Sequence, residues 1–137
     1  MTRVARILAS LFLFSVSFAT SGQGTSASEN LLLRKDISSY AGRDLVLTVR
    51  ELEFPPSAQG EKHRHPGPVV ACVLEGSLEV ALEGQEPKMY GPGQCFSEEP
   101  HQLHLYSRNL SKTAPVRLIS YILSRNGEPL TRREKQW

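Results

Sequence analysis

The strongest constraint on this chain is the rhythm of its apolar residues. After residue 20 they come in short runs, each cut off by Pro, Gly or Asn, and no apolar stripe at helical spacing lasts more than two turns. Residues 77–83 are the clearest run. Leu78, Val80 and Leu82 alternate with Glu79, Ala81 and Glu83, the period of two that marks a half-buried strand. Residues 69–74 are almost continuously apolar, and Glu75-Gly76 turns the chain after them. Residues 44–54 carry Leu45, Leu47 and Val49, then Leu52 and Phe54. This slip of one residue near Arg50 predicts a bulge or a sheet edge, and Pro55-Pro56 ends the run. Shorter strands are expected at 31–34, 88–90, 94–97, 102–107 and 116–123, with a turn at 38–42. About eight short strands at this spacing mean an all-β sandwich or barrel.

A length of 137 residues bounds the chain to one domain. With 39% hydrophobic and 22% charged residues, a disordered or collagen-like chain is excluded. The N-terminus reads as a secretory leader. Arg3 and Arg6 precede an apolar run at 7–18, and the small residues Ser17, Ala19, Ser21 and Gly22 follow. The run is shorter than the ~20 residues of a membrane span, and no Cys near its exit offers a lipid anchor. Cleavage is expected after Ala19, or as late as Ser21, which implies a bacterial periplasmic or secreted protein with no stable membrane anchor. The leader would then occupy 1–19, a flexible lead-in 20–29, the barrel 30–126 and a polar tail 127–137. Without Arg3 and Arg6 the 16 Lys and Arg fall to 14 and match the 14 Asp and Glu. The remaining basic cluster, Arg132-Arg133 with Lys135, is too small for a nucleic-acid footprint, so no nucleic-acid partner is expected.

The histidines carry the chemical signal. In extended chain His63 and His65 project from one face, with Cα atoms roughly 7 Å apart. They can converge on one metal ion if a third ligand arrives from another strand, and His104 is the candidate. An H-x-H pair alone is also compatible with two solvated loop histidines.

The surrounding residues resemble the two cupin motifs. His63-Arg64-His65 leading into Val73-Leu74-Glu75-Gly76 is similar to the first, an H-x-H followed by a strand that closes on a Gly turn. Gly91-Pro92-Gly93 through His104 to Asn109 is similar to the second: Gly93 matches its opening glycine and His104 its histidine, while Asn109 falls one residue late. The resemblance spans residues 54–109. It implies a small double-stranded β-helix, or jelly-roll, barrel with a divalent transition metal (Fe, Mn, Ni or Zn) on His63, His65 and His104. Val69 stands where cupins often carry a Glu ligand, so a three-His site without a carboxylate is expected; His₃ is a workable catalytic set. Glu99 stands where the family often has Pro, and His101 where it has a loop Gly.

Glu99 and His101 are candidates for an outer ligand or proton relay, or else solvated loop residues. Tyr106, two residues after His104, shares its face in a regular strand; it would hydrogen-bond a substrate or fill the barrel mouth. Arg64 is expected to face solvent. The resemblance also places Cys72 and Cys95 on adjacent strands, which allows a disulfide, with a pair of buried thiols as the alternative. Three functions are compatible with these residues. One is a metalloenzyme of dioxygenase, isomerase or lyase type acting on a small oxygenated molecule, with Glu99 and Tyr106 as catalytic candidates. Another is a non-catalytic binding module, with or without a metal, that takes a sugar-like, aromatic or other small ligand at the barrel mouth. The third is an exported metal-binding or assembly protein. A homodimer is expected from the family, from exposed strand edges and from the apolar run at 116–123.

Overall fold

The computed structural model describes residues 26–36 and 44–134. The leader, its cleavage positions and the turn at 38–42 lie outside the described residues. Ten strands follow in order: β1 (Ser28–Asp36), β2 (Leu45–Phe54), β3 (His63–Arg64), β4 (Val69–Glu75), β5 (Leu78–Leu82), β6 (Lys88–Tyr90), β7 (Cys95–Glu98), β8 (Leu103–Asn109), β9 (Val116–Arg125) and β10 (Arg132–Arg133). They form two five-stranded antiparallel sheets, ordered β1-β2-β9-β4-β7 and β10-β3-β8-β5-β6. No helix occurs among the described residues. The fold is the expected all-β jelly roll.

Alternation fixes which side chains the two sheets bury between them. Phe54, Ala71, Val73, Leu78, Val80, Leu82, Phe96, Val116 and Leu118 form the apolar core. Asn109 ties the adjoining loops. Its Nδ2 reaches Phe54 O, Pro55 O and Ala114 O at 2.8–3.1 Å, and its Oδ1 accepts from Ser111 N–H at 2.9 Å. Gly67 lets the chain after His65 pass against β9, where a Cβ would stand 1.9 Å from Leu123 O. Gly76 turns β4 into β5 at φ +76°, a left-handed conformation that glycine adopts without steric cost.

The bulge expected near Arg50 is not in β2. This strand pairs with β9 through ten consecutive positions, from Leu45↔Arg125 to Phe54↔Val116, without a register shift. The irregularity is in β1 instead, where Leu32 is the extra residue between Leu31↔Arg50 and Leu33↔Val49. Arg50 and Thr48 face the interior with Val46, Leu52 and Phe54. The apparent slip in apolar phase therefore comes from polar residues on the buried side of a regular strand.

A second shift lies in β8. Leu82 pairs with His104 but Ala81 with Tyr106, so Leu105 is the extra residue. The bulge turns His104 and Ser107 inward together, both buried. At both limits of the described residues the chain is engaged with the barrel. Ser26–Glu29 border the interior cavity and are not a free lead-in. Residues 132–133 of the polar tail join the second sheet, with Arg133 opposite His63.

Candidate metal centre

Three strands aim the site's side chains at one volume. β3 lies beside β8 with His63 directly opposite His104, and the ring centroids are 4.7 Å apart. His65 follows two residues on, its ring 4.7 Å from that of His63. The three histidines named from sequence are thus brought together. β7 adds a residue that the sequence reading missed, the buried Glu98, whose Oε1 lies 3.1 Å from His104 Nδ1. Ligand atoms of His63, Glu98 and His104 all lie within 4.8 Å of one another, and His65 Nε2 stands 3.0 Å from His63 Nε2.

The expected lack of a carboxylate is therefore corrected. The resemblance set the absent carboxylate at Val69, and Glu98 is the direct partner of Val69 across β4 and β7. The carboxylate enters the same space from the neighbouring strand. Glu99 is exposed in the turn beyond, where its N–H donates to Gln102 Oε1 at 3.1 Å. Alternation from the inward Phe96 could have selected Glu98 over Glu99.

Tyr106 also departs from expectation. The β8 bulge puts it on the outer face beside Ala81, where Arg108 stacks 4.6 Å over its ring, and Ser107 takes the inward place. Neither Tyr106 nor Glu99 lines the cavity. His101 is an exposed turn residue at φ +63°, in the left-handed region that suits the Gly expected there. Arg64 points outward as expected, but it is engaged. It donates to His101 O at 2.6 Å and pairs with Glu134 at 2.7 Å, which joins the His101 turn to the C-terminal segment.

The hydrogen bonds around the rings decide what they can hold. His63 Nδ1 lies 2.6 Å from Glu61 O, and His65 Nδ1 lies 2.6 Å from Leu130 O. A carbonyl only accepts, so both protons sit on Nδ1 and both neutral rings present bare Nε2 lone pairs. Those lone pairs stand 3.0 Å apart, a repulsive contact unless a cation bridges them. Burial pushes His63 down to about 4 against the support of Glu61 O, with the neighbouring His104 and His65 lowering it further. Burial lowers His65 as well, opposed first by Glu98. Burial would raise the Glu98 carboxyl, but contact with His104 and the charges of His104, His65 and His63 outweigh it and hold the group below its usual range. An ionised Glu98 beside the neutral rings of His63 and His65 is the state a metal requires of its ligands.

Two further atoms point the same way. Glu98 Oε2 is buried without a hydrogen-bond partner among the described residues, and His104 Nδ1 is buried with Glu98 Oε1 3.1 Å away as its polar contact. His104 Nε2 is held by Ser107 Oγ at 2.8 Å, which leaves Nδ1 toward Glu98. Imidazole nitrogens with one carboxylate suit iron, manganese, nickel or zinc. These residues fit a divalent transition metal.

The cluster opens into a cavity of about 580 Å³, within the ~300–1,000 Å³ typical of small-molecule sites. Apolar Leu52, Phe54, Phe96, Leu118 and Ile122 line it together with polar Arg50, Ser107 and Ser120.

Residues 50–122, more than half of the chain, match the cupin domain family. The chain belongs to that family. No curated protein matches it. Among solved structures it is similar to a Klebsiella pneumoniae protein with a double-stranded β-helix domain, at 18% identity and TM-score 0.61, covering 90% of this chain and 97% of that one. It is also similar to the DMSP lyase DddQ from Ruegeria pomeroyi, at 23% identity and TM-score 0.54, covering 64% of this chain and 42% of that one. An oxalate oxidase in complex with the substrate analogue glycolate gives 16% identity and TM-score 0.56, covering 77% of this chain and 57% of that one. At these identities the likeness establishes the fold.

Proposed function

We propose that this cupin is an exported protein that holds a divalent transition metal on His63, His65, His104 and Glu98, and acts on a small oxygenated organic molecule in the cavity. The observation that carries this reading is the pair of bare Nε2 atoms 3.0 Å apart, facing a buried carboxylate. When bound, the metal would supply a Lewis acid or redox centre, as chemistry of the dioxygenase, isomerase or lyase type requires. The chain's own residues set the rest. Backbone carbonyls of Glu61 and Leu130 orient two rings, Ser107 orients the third, and the apolar wall excludes water from the ligand. Similar folds include a lyase and an oxidase of small molecules, which supports a small-molecule substrate. A disulfide between Cys72 and Cys95 supports export, because such bonds persist in oxidising compartments.

Elemental mass spectrometry tests the site on mature protein recovered without chelators from the exported fraction, with His104→Ala, Glu98→Gln and Glu99→Gln in parallel. Near-stoichiometric metal is expected in the wild type and in Glu99→Gln. It should be lost in His104→Ala and reduced about tenfold or more in Glu98→Gln. Wild-type protein without metal, before and after reconstitution, would overturn the reading in favour of a metal-free binding module.

A further inference from the structure

Among the described residues two arginines line the cavity: Arg133, which pairs with Glu61 at 3.1 Å, and Arg50 on β2, whose surroundings leave it incompletely used. Its side chain is 12% exposed, and its Nε is buried with no hydrogen-bond partner among the described residues. Directly opposite on β9 stands Ser120, whose buried Oγ also lacks a partner among them. Two orphaned polar groups on adjacent strands, facing one cavity, are a costly arrangement for a structural role alone, since each forgoes hydration without a replacement. The position is not forced by packing either, because Leu52 and Phe54 continue the same face with apolar side chains.

From this geometry we propose that Arg50 and Ser120 bind the carboxylate of the substrate, so that the molecule acted on is a small organic acid. This inference names the substrate class of the site proposed above and rests on that reading. A guanidinium edge offers parallel N–H donors that match the two oxygens of a carboxylate, and a serine hydroxyl adds one more donor. The cavity that holds Arg50 and Ser120 also contains His63, His65, Glu98 and His104. A small acid anchored by its carboxylate at Arg50 would present its remaining oxygen-bearing end toward the cluster.

The present partner of Arg50 fits the same account. Glu29 Oε2 lies 2.5 Å from Arg50 Nη1. Glu29 is 58% exposed on β1, an edge strand that pairs with β2 alone. It is the resting counter-ion of Arg50 and competes with an incoming carboxylate for the guanidinium.

Propionate and propionamide, which differ in the carboxylate, are the probes, with inorganic phosphate as a third. Their binding is followed by NMR shifts of the full mature protein at fixed ionic strength, metal-loaded and chelator-treated. Wild type is expected to hold propionate about tenfold or more tighter than propionamide, the scale of a charge-assisted hydrogen bond. Arg50→Met should abolish that preference, Ser120→Ala should cut it several-fold, and Glu29→Gln should strengthen it. Ser120→Ala and Glu29→Gln carry the test if Arg50→Met does not fold. Equal binding of acid and amide, a preference unmoved in the variants, or tighter binding of phosphate than of propionate would overturn the proposal. Metal content is read separately. An Arg50-dependent preference in a protein that takes no metal would sink the metal reading and leave only a carboxylate-binding pocket, whereas metal uptake without the preference would sink this inference and leave the metal reading standing.

Discussion

His63 shows how one residue's surroundings set the behaviour of the site. Burial pushes its pKa down to about 4, against 6.5 for an ordinary histidine. Between those values the unfolded chain takes up a proton that the folded one refuses, so stability rises with pH across that window and is lost as pH falls through it. His65, lowered by burial, acts in the same direction. Glu98 is held below its usual value, so its contribution is present above the unfolded pKa and disappears as pH falls through the folded one. All three predict acid sensitivity. Urea unfolding of the chelated protein should show a loss on the order of 2 kcal/mol between pH 7 and pH 4.5, allowing for the part exposure of His63. The loss should be smaller in His63→Asn. A midpoint independent of pH in this range would contradict the burial argument.

At the scale of elements, β7 is the strand on which the carboxylate depends. It lies at a sheet edge and pairs with β4 through four positions, Val69↔Glu98 to Cys72↔Cys95. The disulfide lies at the far end of that ladder from Glu98, with both cysteines on the outer face. The alternative of two buried thiols is excluded. A link across 23 residues contributes about 3 kcal/mol in the chain-entropy account. The Cys72→Ala/Cys95→Ala variant is therefore expected to lose about that much stability in urea. It should also hold metal more weakly, because the edge strand bearing Glu98 is no longer fastened. An unchanged unfolding midpoint would show that the β4–β7 ladder needs no fastening.

For the molecule as a whole, the outer face of the β1-β2-β9-β4-β7 sheet is unusually apolar. Val70, 44% exposed, lies beside Tyr121, 39% exposed, with Leu33 and Leu74 also exposed nearby. Glu51, Glu53, Arg117 and Glu75 make one end of this face polar, with Arg117 paired to Glu51. We propose that a second copy covers the apolar part, as the expected homodimer requires, since contiguous exposed apolar surface marks an interaction site. Light scattering on the mature protein should give a dimer for wild type and a monomer for Val70→Glu/Tyr121→Glu. A wild-type monomer at high micromolar concentration would refute this arrangement.

Local pattern alone determined eight of the ten strands, all but β3 and β10, with the turns at Gly76 and Pro55-Pro56 and the placing of His63 with His65 on one face. Each follows from steric rules acting over a few residues, so each is written in adjacent letters. His104 was already a candidate third ligand from its residue type, and its resemblance to a family motif strengthened that reading. What needed the tertiary structure was every choice made across strands. Alternation picks Glu98 over Glu99 as the inward carboxylate of β7, but that it meets His104 depends on how β7 is laid against β4. Tyr106 and Ser107 exchange places because β8 takes one extra residue against β5. Arg50 read as a break in apolar phase because a polar group on the buried face looks, in one dimension, like a slipped strand. The C-terminal segment read as a polar tail, yet its Leu130 carbonyl fixes the proton of His65 from 65 positions away. Contacts at that separation depend on how the sheets close, and no local propensity encodes them.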